Sequence, residues 1–176
     1  YNNKYGVPLS LFNLDQKNDY GVLEIGMDKK GEINYLSKIV HPDVSVITNI
    51  NYAHAKNFKS LKQIALAKSE IINNTKGNGF IVLNADDSFF ALQKKIANKR
   101  NLKILSFSID NQNSNIKLIS IKKIANKFKA TIRIDNLKTH FFISNDFQNN
   151  ILNILAALSV MSIFLDVSKL SRNIFM

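Results

Sequence analysis

Short apolar runs, each ended by a polar residue or a glycine, recur through the first two thirds of the chain. Four of these runs predict buried strands: residues 20–25, 44–48, 80–83 and 103–107. Three stretches between them have the apolar spacing of amphipathic helices: residues 32–40, 60–74 and 88–99. Because strands that alternate with helices form β-α-β units, this order predicts a mainly parallel sheet flanked by helices.

The pattern changes after Asp110. Residues 110–115 (DNQNSN) have the composition of a loop. Three short alternating segments follow without helices between them, at residues 116–121, 130–134 and 139–143, and they predict a small antiparallel appendage. A last helix, residues 147–165, is expected to pack back on the sheet. The predicted fold class is therefore α/β.

The composition limits the class of protein. The chain has 176 residues, enough for one domain with a buried core, and 45% of them are hydrophobic. Its most apolar stretch, residues 151–165, is interrupted by Asn153, Ser159 and Ser162, so we interpret it as a core helix and not as a membrane span. The absence of cysteine excludes disulfides and fits the reducing cytoplasm. Because the chain begins without an initiator Met, we expect it to be part of a longer protein.

The formal net charge of +11 raises the alternative of a non-catalytic, basic nucleic-acid-binding module. The lysines are scattered, however, and the only arginines are Arg100, Arg133 and Arg172. Surfaces that contact phosphates and bases usually favour arginine, because its planar guanidinium binds two acceptors at once. We therefore expect no nucleic-acid partner.

Three of the predicted strands finish with polar residues at the same edge: Glu24, then Thr48 and Asn49, then Asn84, Asp86 and Asp87. Ligands of open α/β sheets bind at the carboxyl ends of the strands, so these residues form a candidate site. For each residue alone, helix capping or turn formation is the alternative. Glu24 lies within an apolar run, where a carboxylate is costly unless it is paired or bound to a cation such as magnesium. It could also simply reach solvent at the end of its strand.

Lys68 is the most informative residue of the predicted helix 60–74. The apolar stripe of this helix is formed by Leu61, Ile64, Ala65, Ile71 and Ile72, and Lys68 occupies the missing position of that stripe. A lysine on a buried stripe has to pair, extend to solvent, lose its proton or be modified.

Two further observations concern catalysis. His54 follows the second predicted strand by six residues, and it is either structural or catalytic. A phosphate loop of the form G-x-x-x-x-G-K-[ST] does not occur in the sequence. If the domain uses ATP, we expect that loop to lie upstream of residue 1.

Five short motifs occur in one order: NNKYGVPLSL from Asn2, EIGMDKKGEI from Glu24, TNINYAH from Thr48, AKSEI from Ala67 and NADD from Asn84. Their order and spacing resemble the central domain of the Mur ligases. The NN-x-x-GVPL and GEI elements resemble the branch of this family that joins D-alanyl-D-alanine to UDP-N-acetylmuramoyl-tripeptide in peptidoglycan synthesis. The resemblance is strong from Asn2 to Asp87 and returns weakly near Asn150.

The resemblance implies an ATP-dependent amide ligase. The precursor carboxylate would attack the γ-phosphate to give an acyl phosphate, and the amine of D-alanyl-D-alanine would displace the phosphate. Another Mur-type ligase or a folylpolyglutamate-type ligase is the alternative within this chemistry. Residues 1–176 would be a partial, ATP-binding central domain that is inactive alone. The phosphate loop and the N- and C-terminal domains would lie outside it, and the whole protein would act as a cytoplasmic monomer.

The resemblance also implies roles for single residues. Glu24 would bind one magnesium ion, His54 would contact a second, and Lys68 would carry CO2 as a carbamate, an anionic ligand of the metal site. The other matched positions would bind nucleotide or precursor. Asn84 and Asp86 would lie beside the adenine and ribose, and Asn150 would line the nucleotide pocket. Asn2 and Asn3 would face the muramoyl-peptide, and Thr48 and Asn49 would also contact substrate.

Overall fold

The computed structural model describes residues 2–52, 57–144 and 150–175. Its helices are α1 Gly6–Phe12, α2 Glu32–Val40, α3 Leu61–Lys68, α4 Ile71–Asn74, α5 Phe90–Lys99 and α6 Ile151–Phe164, with a 3-10 helix at Val167–Lys169. Its strands are β1 Val44–Ile47, β2 Phe80–Asn84, β3 Lys103–Ser108, β4 Ile116–Ile124, β5 Lys127–Ile134 and β6 Leu137–Ile143. Apart from residues 20–25, every predicted strand is present.

The strands form one six-stranded sheet in the order β1-β2-β3-β4-β5-β6. Strands β1, β2 and β3 are parallel, with Val44 opposite Phe80 and Phe80 opposite Lys103. The helices α3 to α5 lie in the connections between these strands. The predicted parallel α/β sheet is therefore confirmed.

The antiparallel strands continue the same sheet and do not form a separate appendage. Strand β4 runs parallel to β3 over only two residue pairs, Phe107–Ile116 and Ser108–Lys117. Because this overlap lies at the end of β3, a short loop is enough to connect two parallel strands that normally need a long crossover. The antiparallel strands β4, β5 and β6 therefore extend past the carboxyl ends of β1 to β3.

Both faces of the sheet are covered by helices. In β2, Val82 packs in the cluster with Leu155 and Leu158 of α6, whereas Ile81 and Leu83 pack with helices α4 and α5. This division follows from the alternation of side chains along a strand. Leu155 and Leu158 have no exposed surface, as expected for a core helix. Among the described residues, no helix combines the length and the apolar character needed to cross a membrane.

The prediction of a strand at residues 20–25 is wrong. Val22 is 96% exposed, and within the described residues this segment pairs with no strand of the sheet. Ile25 and Met27 instead pack against Ile64 and Ala67 of α3. An apolar run forms a strand only where a neighbouring strand satisfies its backbone groups.

The predicted helix at residues 60–74 is two helices. Ser60 caps α3, accepting a hydrogen bond from the Gln63 backbone N–H at 3.3 Å. At the break, the Ser69 hydroxyl donates to the Ala65 carbonyl at 2.6 Å. A serine hydroxyl bound to that carbonyl competes with the helical backbone and bends the helix.

Gly79 is required by the tight entry into β2. A Cβ atom at this position would lie 2.6 Å from the Asp43 carbonyl oxygen and 2.8 Å from that of Lys76. We expect Gly79→Ala to lower the free energy of unfolding by about 1–3 kcal/mol, the usual cost of overpacking. The control is Gly77→Ala, because a Cβ at Gly77 meets no atom within 4 Å. Calorimetry of both variants of the full-length protein checks this, and equal destabilisation would contradict it.

Candidate functional site at the carboxyl ends of the strands

The polar residues that follow β1 and β2 lie together at one edge of the sheet. The Asn84 side-chain amide donates to the Thr48 carbonyl at 3.1 Å. The Asp87 carboxylate accepts from the Ile50 N–H at 2.7 Å and from the Phe89 N–H at 2.8 Å. The loop after β2 therefore holds the loop after β1 in place.

Lys68, the last residue of α3, reaches this edge. Its side chain is half-buried, and its Nζ donates to the Asn49 carbonyl at 2.8 Å. Burial lowers the pKa of the Lys68 amine, while the nearby Asp87 carboxylate raises it by a smaller amount. The sequence left four alternatives for a lysine on this stripe: pairing, extension to solvent, loss of the proton or modification. In the structure Lys68 is paired, and its partner is the neutral carbonyl of Asn49.

Glu24 does not occupy a buried strand, which corrects the prediction. It is exposed, and its Oε1 accepts from the Asn2 side-chain amide at 2.9 Å. The segment is fastened there by the Gly26 N–H, which donates to the Asn2 carbonyl at 2.7 Å. A Cβ at Gly26 would lie 2.9 Å from Asn2 Cγ, so only glycine fits this approach without a shift. Glu24 needs no cation to offset burial.

His54 lies outside the described residues, which omit 53–56. Whether it meets Glu24 and Lys68 therefore stays a prediction. Over residues 2–52, 57–144 and 150–175, no group of three or more His, Asp or Glu side chains is arranged to hold a metal ion.

Asp86 is engaged by the protein backbone. Its carboxylate accepts from the N–H groups of Ile109 at 2.6 Å and Asn111 at 2.8 Å, and from that of Asp110 at 3.2 Å. The Asn84 side-chain oxygen in turn accepts from the Asp86 N–H at 3.0 Å. The NADD motif thus joins the loops after β1, β2 and β3.

Asn3 and Asn150 both lie next to helix starts. The Asn3 side-chain oxygen accepts from the N–H groups of Tyr5 and Gly6 at 3.1 and 3.0 Å. Asn150 precedes α6, and its carbonyl accepts from the N–H groups of Asn153 and Ile154. Asn150 also lines a cleft of about 260 Å³. Asn3 uses its side chain in this way, whereas Asn150 uses only its backbone carbonyl. The ligands proposed for both residues stay predictions.

The sequence reasoning missed the role of Glu70. Its carboxylate accepts from the Gly31 N–H at 2.9 Å and from the Asn34 N–H at 3.1 Å, and so caps the start of α2. Gly31 has φ of 92°, a left-handed conformation that glycine adopts readily. No side chain of α2's own N-cap serves this purpose, because the N-cap is Gly31. The GEI and AKSEI motifs therefore contact each other directly.

Residues 1–161 match the sequence profile of the Mur ligase middle domain. The chain is 41% identical over 142 residues to UDP-N-acetylmuramoyl-tripeptide–D-alanyl-D-alanine ligase of Buchnera aphidicola from Acyrthosiphon pisum, which covers 80% of this chain and 28% of the relative. Among solved structures, MurF from Acinetobacter baumannii matches with a TM-score of 0.84 and 27% identity, over 95% of this chain and 36% of that chain. MurF ligase from Thermotoga maritima, solved in complex with ADP, matches with a TM-score of 0.73 and 29% identity, over 91% of this chain and 36% of that chain.

The chain thus spans about a third of the length of these relatives. The profile match covers 161 of its 176 residues and includes all five motifs. The chain belongs to the Mur ligase middle domain family.

Proposed function

We propose that this chain is the ATP-binding middle domain of a ligase that joins D-alanyl-D-alanine to UDP-N-acetylmuramoyl-tripeptide. The observation that carries the proposal is the 41% identity to a relative of that name over 80% of the chain. The similarity to a MurF ligase in complex with ADP supports a nucleotide site in this domain. The reaction forms an acyl phosphate from the tripeptide carboxylate and ATP, and then an amide as the D-alanyl-D-alanine amine displaces phosphate.

In this proposal Lys68 is carbamylated. The neutral amine adds to the carbon of CO2, an N–C bond forms, and one proton is released. The half-buried position of Lys68 and the lowered pKa of its amine support this step, because only the neutral amine has a lone pair to donate. The product is an anionic oxygen ligand beside the carboxyl ends of the strands.

The chemistry of the donors suits magnesium. A carboxylate at Glu24 and a carbamate at Lys68 supply the hard oxygen ligands that Mg2+ prefers, and His54 is the proposed contact to a second ion. When bound, magnesium would neutralise charge on the ATP phosphates. Glu24 is exposed and needs only to exchange its bond with Asn2 for one to a cation.

The remaining roles follow the same proposal. Asn84 and Asn150 would contact the nucleotide, and Asp86 would lie beside it. Asn2 and Asn3 would face the muramoyl-peptide. Thr48 and Asn49 would also contact the substrate, at the carboxyl end of β1. The carbonyls of Thr48 and Asn49 are held by Asn84 and Lys68, which supports a preformed surface at this position. We further propose that the whole protein acts as a monomer in the cytoplasm, which the absence of cysteine fits.

A substrate assay of the purified full-length protein tests the proposal. With ATP and UDP-N-acetylmuramoyl-tripeptide, we expect phosphate release and a new amide product with D-alanyl-D-alanine, and neither with single amino acids. Product formation with a single amino acid, or with a folate and glutamate, would assign the protein to another branch of amide ligases. No nucleotide binding together with salt-sensitive binding of DNA would refute the ligase.

A further inference from the structure

The loop after β3, residues 109–115, is held by charged side chains on two sides. On one side is the Asp86 carboxylate, which binds the N–H groups of residues 109, 110 and 111. On the other side, the Lys117 Nζ donates to the Asp110 carbonyl at 2.8 Å. Arg133 donates to the carbonyls of Gln112 at 2.8 Å and Ser114 at 3.1 Å. The donors and the acceptors of the loop backbone are thus bound by groups of opposite charge.

The positions of Lys117 and Arg133 are unfavourable for the stability of the sheet. Lys117 and Arg133 lie directly opposite each other on β4 and β5, where like charges destabilise a sheet. Lys117 is only 5% exposed, and neither residue takes part in a salt bridge of the described part of the chain. Burial of an ammonium without a counterion is unfavourable unless its hydrogen bonds compensate. The carbonyls of the loop supply these hydrogen bonds. The two cations are therefore stabilised by the loop, and the loop is held by the two cations.

The loop is joined to the candidate site by a continuous chain of contacts. Asp86 is two residues after Asn84, whose side chain holds the Thr48 carbonyl at the end of β1. The Asn111 side-chain amide donates to the Ala85 carbonyl at 3.3 Å. A displacement of the loop would therefore move the residues proposed to lie beside the nucleotide.

We propose that Lys117 and Arg133 are positioning residues for nucleotide binding, which fix the 109–115 loop against Asp86 as one wall of the ATP site. The inference rests on the proposed function, since that function places ATP beside Asn84. It also assigns Asp86 a positioning role, because its carboxylate is already engaged by three N–H groups. The antiparallel strands, in this proposal, serve the nucleotide site through the loop.

The test uses the full-length enzyme with Lys117→Met, which keeps an unbranched side chain one atom shorter and removes its charge. We expect the KM for ATP to rise about tenfold, the ratio equivalent to about 1.4 kcal/mol, with kcat changed less than about twofold. Hydrogen exchange of the Ile109, Asp110 and Asn111 amides is expected to accelerate in the absence of nucleotide. Arg133→Met should act in the same direction, and Lys117→Arg should restore part of both effects.

The matched control is Lys122→Met, an exposed lysine on the same strand that lies beyond the loop. It should change neither the KM for ATP nor the exchange of the loop amides. An unchanged KM in Lys117→Met and Arg133→Met would overturn the inference, whether or not the loop amides exchange faster. If Lys117→Met does not fold, Arg133→Met gives the same comparison, because it removes the charge of the partly exposed member of the pair. Failure of the proposed function is separate, because the wild-type protein would then neither bind ATP nor ligate.

Discussion

Replacing Lys68 by alanine in the full-length enzyme is expected to lower the rate of ligation by about two to three orders of magnitude. This is the usual cost of removing one group that stabilises charge in a transition state. Bicarbonate should not restore the Lys68→Ala enzyme, because no amine remains to take up CO2. Formate or acetate should restore part of the activity, since a small carboxylate would take the place of the proposed carbamate. Phosphate release in the complete reaction mixture measures both effects.

The control for this prediction is Lys62→Ala, an exposed lysine on the same helix. It removes an equal side chain and the same charge from α3, so a comparable loss of activity would show a general effect on the helix. A Lys68→Ala enzyme with full activity would refute the carbamate. Carbon-13 NMR of the wild-type enzyme with labelled bicarbonate should give a carbamate signal that Lys68→Ala lacks.

The dependence of carbamylation on pH has a defined sign. Burial lowers the pKa of the Lys68 amine, so the amine becomes neutral at a lower pH than an exposed lysine does. Below that pKa the ammonium predominates and cannot add CO2, and above it the neutral amine predominates. At limiting CO2, we therefore expect the carbamate signal of the wild-type enzyme to grow as the pH rises towards the pKa of Lys68.

The second large effect is expected at Asp87. Asp87→Ala removes the acceptor of the Ile50 N–H, which adjoins the Asn49 carbonyl bound by Lys68. The Ile50 N–H is partly buried, so we expect its loss of a partner to cost about 1 kcal/mol of stability, the lower end of the range for a buried donor. The resulting misplacement of the loop after β1 should lower kcat by about tenfold to a hundredfold. Steady-state kinetics and thermal unfolding of the full-length variant measure the two effects.

Asp43→Ala is the matched control for Asp87→Ala. Asp43 pairs with Lys76 at 2.7 Å, and both side chains are more than half exposed. Exposed pairs contribute about 0–1 kcal/mol, so this variant should keep its activity and nearly all of its stability. Equal losses in the two variants would contradict the role of Asp87. Asp87→Ala should also lower the pKa of Lys68 further, because the carboxylate raises it.

The strands of the sheet follow from alternation and length of the apolar runs. The apolar runs at residues 44–47 and 80–83 form strands whose side chains pack on both faces of a covered parallel sheet. The capping of α3 by Ser60 is local in the same way, since the N-cap residue and the helix are adjacent in the chain. An apolar run is followed by the polar residues Asn84, Asp86 and Asp87. This pattern predicted a candidate site at the carboxyl ends of the strands. These features depend on neighbours in sequence.

Other features depend on partners that are distant in the chain. Residues 20–25 have the pattern of a strand but lack a neighbouring strand among the described residues. Glu70 caps a helix that begins 38 positions earlier, and Asp86 binds a loop more than 20 positions later. Lys117 has the polar position of an alternating strand, yet it is buried because the 109–115 loop folds over it.

The sequence by itself determined the α/β class, the family and the presence of a lysine on the buried side of α3. Local polarity and periodicity carry that information, because each element needs an apolar side to fold. Only the tertiary structure decided what the charged groups contact: Lys68 a carbonyl, Asp86 three amides, Glu70 a helix start. The reason is physical: the free energy of a charged group depends on its desolvation and on the partners around it, and both are set when distant segments meet.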